Sequence, residues 1–137
     1  MKISTRGRYS LRLMIDLAQN YEQGFVSLKD ISLRQNISKK YLEQIVPFLN
    51  RSHLLHANKG HQGGYRLAKE PAEITVREIL VSAEGSLAPV SCMDNNPNQC
   101  ERCQDCITLP IYQGLNEVVT KYLESITLAD IIQQTQE

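Results

Sequence analysis

The sequence predicts a mostly α fold with a small β wing, a winged helix-turn-helix that continues into a long C-terminal dimerisation helix. Three observations carry that expectation. Two amphipathic helical stretches are separated by a tight turn at Asn36-Ile37, the spacing of a helix-turn-helix. Directly after them, Lys59-Gly60-His61-Gln62-Gly63-Gly64 separates two short runs that can pair as a hairpin. A longer apolar stripe then follows Pro110, a residue suited to the first turn of a helix.

Taken in order, residues 5–22 read as a first helix. Ser4 or Thr5 can cap it, Leu11, Met14, Ile15, Ala18 and Tyr21 recur at helical spacing, and Gly24 stops it. Ser27 opens a short second helix, and with Asp30 it forms the two ends of a capping-box pattern. Leu28 and Ile31 face its core. Asn36 breaks this helix, Ile37 is a buried plug, and Ser38 caps a third helix with Leu42, Ile45 and Leu49 as its apolar stripe. Pro47 removes one backbone hydrogen bond from that helix, so a kink or an early end is expected there, leaving residues 38–46 as the rigid reading element. Residues 54–58 can form a strand, with residues 65–67 as its partner. A further helix is expected over residues 76–84, ended by Gly85, whereas residues 85–109 show no periodicity. The helix opened by Pro110 carries Ile111, Leu115, Val118, Tyr122 and Leu123 on one stripe and ends at Ser125-Ile126. Thr127 and Asp130 repeat the capping-box pattern before a short last helix. The expected division is residues 1–84 for the winged helix-turn-helix, 85–109 for a cysteine-rich loop, and 110–137 for the dimerisation and C-terminal helices.

Composition narrows the class. A chain of 137 residues suits one compact core with an attached element, and 42% hydrophobic with 22% charged residues excludes a disordered chain. No apolar run approaches a membrane span, and no apolar stretch follows the basic residue at the N-terminus. No signal peptide is therefore expected, and the chain is placed in the cytoplasm. The pattern offers no nucleophile–base pairing and no phosphate loop, so an enzyme is not expected. The net charge of zero hides an asymmetry: residues 1–70 hold 12 Lys and Arg against 5 Asp and Glu, a net +7, while residues 71–137 hold 3 against 10, a net −7. A basic half suits a polyanion.

The outward face of the third helix bears Lys39, Lys40, Glu43, Gln44 and Arg51. A recognition helix enters the major groove with its first residues at base edges. Gln44 can pair with adenine there, and Glu43 can accept from the amino group of cytosine. Lys39, Lys40 and Arg51 can neutralise phosphates, and Lys59 at the wing tip can reach an adjacent minor groove. Each of these residues also suits a solvated helix face. Their combination with a wing and a basic half favours double-stranded DNA. His53, His56 and His61 fall in or beside the wing and suit phosphate neighbours or surface positions.

All four cysteines, Cys92, Cys100, Cys103 and Cys106, lie within fifteen residues. A reducing cytosol argues against disulfides, and crowded cytosolic thiols bind metal or sense redox state. Cys100-x2-Cys103-x2-Cys106 has the spacing of three ligands in a bacterial ferredoxin run, with Pro110 where that run has its next cysteine. Zinc also takes four thiolates, but typically from two close pairs across a longer loop. Four reduced thiols in a loop remain the plainest alternative.

The chain resembles the Rrf2 family of transcription regulators. The matching stretches are Met1-Lys2-Ile3-Ser4-Thr5-Arg6-Gly7-Arg8-Tyr9, Ile37-Ser38 followed by Tyr41-Leu42-Glu43-Gln44, Gly63-Gly64-Tyr65 with Leu67, and Ile126-Thr127-Leu128. The resemblance implies a homodimer with the seam along residues 110–125, DNA reading by Ser38, Glu43 and Gln44, and a wing cation at Lys59. Lys40 stands where a similar member of the family has a small polar residue. Cluster-binding members hold an iron–sulfur cluster, 2Fe–2S or 4Fe–4S, with three loop cysteines that match Cys92, Cys100 and Cys106. Their fourth ligand is a histidine, here Leu109, or a carboxylate from the partner chain's first helix, here Arg8. Neither can serve, which leaves Cys103 or an outside thiol as the fourth ligand. The expected function is a dimeric repressor modulated by the cluster. Other members lack the cysteine loop and answer to a protein partner, so a cluster-free regulator stays open, as does a zinc-stapled DNA-binding module.

Overall fold

The structure is a computed structural model; residues 2–60, 63–94 and 104–134 are described below. His61, Cys100 and Cys103 fall outside these residues.

Helix α1 (Thr5–Gln19) is capped by Ser4, whose hydroxyl accepts the Gly7 N–H at 3.1 Å. It stops earlier than residue 22. The Asn20 side chain donates to the Asp16 carbonyl at 2.8 Å, competing with continued helix, as short amides do. Tyr21–Gln23 then forms a 3-10 turn that closes at Gly24, with φ 80°.

Helix α2 (Leu28–Gln35) starts at Ser27, which accepts the Asp30 N–H at 3.1 Å. The reciprocal half of the expected capping box is not made. Asn36 sits in the left-handed region with φ 54° and ψ 46°, a conformation asparagine tolerates. Ile37 is buried, and the Ser32 hydroxyl donates to its carbonyl at 2.6 Å. Ser38 then caps α3 (Lys39–Arg51) by accepting the Tyr41 N–H at 3.1 Å.

Helix α3 runs through Pro47 to Arg51, so the early end expected there does not occur. Pro47 deprives the Glu43 carbonyl of its partner. Both residues are exposed, so water can take the place of the missing donor.

The wing pairs β1 (Leu55–Ala57) with β2 (Tyr65–Leu67) in antiparallel register, Leu55 opposite Leu67 and Ala57 opposite Tyr65. A third, single-residue rung was not anticipated. Val26 exchanges both backbone hydrogen bonds with Tyr65, each at 2.8 Å. A Cβ at Gly64 would lie 2.9 Å from the Val26 carbonyl oxygen, and Gly64 has φ +125°, so glycine is required there.

Helix α4 (Val76–Glu84) carries a complete Thr75–Glu78 capping box and ends at Gly85. Helices α5 (Leu109–Glu124) and α6 (Leu128–Gln134) follow. Thr127 and Asp130 make the expected reciprocal cap, at 2.9 and 3.1 Å. The chain returns to the core here: Val76 N–H donates to Ile126 at 2.9 Å and Leu128 N–H to Ile74 at 3.0 Å. Leu13, Met14, Ile31, Leu42, Leu49, Leu54, Ile79 and Leu128 are fully buried in one cluster. Among the described residues no helix is long and apolar enough to cross a membrane.

Candidate nucleic-acid interface

The first turns of α3 present a polar face. Ser38, Lys39, Lys40, Glu43 and Gln44 are all exposed, while Leu42, Ile45, Val46 and Leu49 fill the opposite face. Lys39 and Glu43 share one ridge and Lys40 and Gln44 the next, by the four-residue repeat. The Ser38 oxygen is taken by its cap, but its proton remains available to an acceptor. Tyr41 turns inward, its ring edge-on to Tyr9 of α1 at 5.5 Å. The Arg12 guanidinium lies 5.2 Å from the Tyr9 ring.

Arg51 stands apart. It is twelve residues beyond Lys39, about 18 Å along the axis, and its guanidinium lies 5.1 Å from the Phe48 ring. That separation sets it apart from Lys39 and Lys40. Lys59 is exposed in the wing, in a turn held by Gly60 N–H on the Asn58 side chain at 3.0 Å and Asn58 N–H on Gly64 at 2.9 Å. The wing base meets the helices directly. Ser27, Leu28, Lys29, Lys39 and Gly63–Tyr65 line one groove, which places the N-terminal ends of α2 and α3 beside the returning strand.

The cluster of helices is fixed by a buried carboxylate. Asp16 on α1 is 1% exposed and receives Arg34 from α2 in two bonds, at 2.7 and 3.0 Å. Gln35 adds a third at 3.0 Å. The Asp16 hydrogen bond, followed in size by its opposing desolvation, leaves the Arg34 guanidinium above its ordinary pKa. Arg12 donates to the Gln35 carbonyl at the C-terminal end of α2.

Cys92 lies in a 3-10 turn (Ser91–Met93), and Cys106 three residues before α5. Both are half-buried, and the Cys106 sulfur lies 3.3 Å from the Thr108 hydroxyl oxygen. They bracket the stretch that holds Cys100 and Cys103. Among the described residues no three His, Cys, Asp or Glu side chains come together. Over the whole segment the four thiols, which lie beside the carboxylates of Asp94, Glu101 and Asp105 in sequence, suit an iron–sulfur cluster.

Comparison with known proteins decides the family. The Rrf2 family profile, described as an iron-dependent transcriptional regulator, matches residues 3–134. The chain belongs to the Rrf2 family. It is a DNA-binding transcription regulator, and the family is not one of enzymes. Protein rrf2 of Nitratidesulfovibrio vulgaris is 36% identical over 132 residues, covering 96% of this chain and 87% of its own. The HTH-type transcriptional regulator IscR of Klebsiella pneumoniae is 35% identical over 132 residues, covering 96% and 80%. Among solved structures, T. potens IscR matches with TM-score 0.78 at 36% identity, covering 98% of this chain and 88% of that one. CymR, the global cysteine regulator of B. subtilis, matches with TM-score 0.74 at 36% identity, covering 98% of both.

In this Rrf2 chain the structure also brings forward residues that sequence reasoning passed over. Lys29 lines the groove shared by Lys39 and the wing base. Arg66 on β2 lies with its guanidinium 5.6 Å from the Phe25 ring. Neither position has a periodic or motif signal of its own; the Gly24-Phe25-Val26 run before Ser27 was the available hint of a strand. The helix α5 of this Rrf2 chain leaves Ile111, Leu115, Val118 and Tyr122 exposed, by 67, 44, 67 and 63%. Leu123, expected on that stripe, is half-buried and borders an apolar groove with Ile3, Leu11, Leu80 and Ile131.

Proposed function

We propose that the chain is a homodimeric, sequence-specific repressor whose DNA affinity is set by an iron–sulfur cluster. The observation that carries this reading is the placement of a four-cysteine segment between α4 and the bare apolar face of α5. The family's description as iron-dependent supports it. Residues 1–84 serve as the DNA-binding unit, 85–109 as the sensing loop, and 110–137 as the dimerisation region. The protein works in the cytoplasm, where its DNA is.

Each residue has a role in this reading. Glu43 and Gln44 read base edges with Ser38 beside them. Lys39, Lys40 and, farther along the backbone, Arg51 neutralise phosphates, and Lys59 enters a minor groove. Cys92, Cys100 and Cys106 hold the cluster, with Cys103 as fourth ligand. When bound, the cluster supplies a cross-link that answers to iron supply and oxidation. Holding the cluster would draw the four thiols together, and the two recognition helices would be repositioned together. Ile111, Leu115, Val118 and Tyr122 meet their symmetry mates. A dimer on a promoter excludes polymerase without further contacts, hence repression.

Purification without oxygen tests the cofactor. A brown protein with visible absorption and matched iron and sulfide is expected. Cys92→Ser, Cys100→Ser and Cys106→Ser should each abolish the absorption, and Cys103→Ser should lose most of it or give a cluster that decays faster in air. A wild-type spectrum and lifetime in Cys103→Ser would hand the fourth position to an outside thiol. A colourless, zinc-loaded protein would overturn the sensing role. The likeness to CymR favours one other reading, a cluster-free regulator that answers to a protein partner. That reading predicts a colourless, metal-free protein with full DNA affinity.

A further inference from the structure

We infer that Arg6 is a positioning residue that ties the recognition helix to the end of α4 from which the cysteine segment departs. The Arg6 Nε donates to the Ala83 carbonyl at 2.8 Å, in the last turn of α4. Its guanidinium carbon lies 4.3 Å from the centre of the Phe48 ring on α3. The other cation on that ring is Arg51, at 5.1 Å. One side chain on α1 thus holds both the C-terminal end of α4 and the C-terminal half of α3.

The joint around Arg6 is close-fitting. Glu84 accepts the Ser4 N–H at 3.0 Å and the Ser4 hydroxyl. A Cβ on Gly7 would collide with the Glu84 carboxylate, so glycine lets the α4 end press onto the α1 N-terminus. The carboxylate also sits at the positive end of the α1 dipole. Gly85, with φ +82°, then turns the chain out of α4. Two hydrogen bonds fold the start of the cysteine segment back over this turn, from the Ser86 hydroxyl to Asp94 at 2.7 Å and from Ala88 N–H to Ser86 at 3.1 Å. Cys92 lies inside that closed loop.

The contacts form an unbroken physical path: Cys92 and Asp94, Ser86, the Ala83–Gly85 turn, Arg6, Phe48, Arg51. A force that rearranges the cysteine segment pulls on the α4 end, and Arg6 passes the displacement to α3. The inference rests on the sensing role proposed for that segment but not on the cluster's identity. By linkage the coupling is reciprocal. The same contacts run in the other direction, so DNA held on α3 is expected to change how readily Cys92 reacts even when no metal is bound.

The full chain with Cys100, Cys103 and Cys106 changed to Ser leaves Cys92 as the sole thiol. Its reaction with an aromatic disulfide reagent is followed by the arylthiolate released, with and without a saturating random-sequence duplex at low salt. Saturation is confirmed by anisotropy and folding by circular dichroism. The duplex should change the Cys92 rate severalfold. Arg6→Ala and Phe48→Leu should each bring that ratio to about one while DNA still saturates, and Arg6→Lys, which keeps a cation and a donor, should restore at least half of it. A native ratio of one, a ratio that survives either substitution, or a lysine variant no better than alanine overturns the inference. Direct shielding of Cys92 by DNA would appear as survival. Loss of the cluster in anaerobic preparations would instead count against the sensing role.

Discussion

Asp16 is the one buried charge among the described residues, and it decides how α1 meets the helix-turn-helix. Removing it leaves Arg34 and Gln35 without their acceptor. Arg34 is 41% exposed, so water recovers part of the loss. Asp16→Ala should therefore destabilise by about 2–3 kcal/mol, below the full cost of breaking a buried pair. Urea denaturation measures it. The raised pKa of Arg34 stabilises the fold fully below the unfolded arginine value and is lost only in strong alkali, so this cation adds no pH dependence across the working range. On the DNA face, charge and specificity should separate. Lys40→Ala should weaken all duplexes alike and lower the salt slope by about 0.9. Glu43 is an acid facing a polyanion and costs affinity unless it reads a base. Glu43→Ala should relax sequence preference with non-specific binding unchanged or tighter, as competition titrations between selected and random duplexes will show. A uniform loss across sequences would contradict its role.

At the scale of elements, α5 carries the clearest expectation. Its Ile111, Leu115, Val118 and Tyr122 face is too apolar to stand in water. Leu115→Asp would place an unpaired charge on the face proposed to pair, and sedimentation should find a monomer. A dimer that persists would put the seam elsewhere. The elements legible from sequence were those fixed by local chemistry: caps at Ser4, Ser27, Ser38 and Thr127, the left-handed stop at Asn36, and the glycine after α4. Those missed depend on partners distant in sequence or on exposure. Val26 becomes a strand rung only because Gly64 lets Tyr65 approach. Pro47 is tolerated because it faces water. The end of α1 is set by Asn20 folding back on Asp16.

Over the whole molecule, α1 is the strut. It packs on α2 through Asp16, on α3 through Tyr9 and Arg6, and on α4 through Ser4 and Arg6. The basic and acidic halves of the sequence map onto this arrangement: the recognition helix and wing come from the +7 half, and the cysteine segment and α5 from the −7 half. Ser38, Lys39, Lys40, Glu43 and Gln44 are exposed on the first turns of α3, as the helical spacing in the sequence implies. The joint at Arg6 was not legible there, since a lone arginine near the N-terminus carries no periodic signal and acquires its partners only in the fold. In the proposed reading, the DNA-reading helix and the α4 end that leads into the cysteine segment both meet α1 through Arg6. The measurement that tests this most directly is the affinity for a duplex selected from a random pool, compared between the anaerobically purified, cluster-loaded protein and the same preparation stripped of metal. The two should differ by about tenfold or more, with equal dimer mass. Equal affinities in the two forms would contradict the proposed reading.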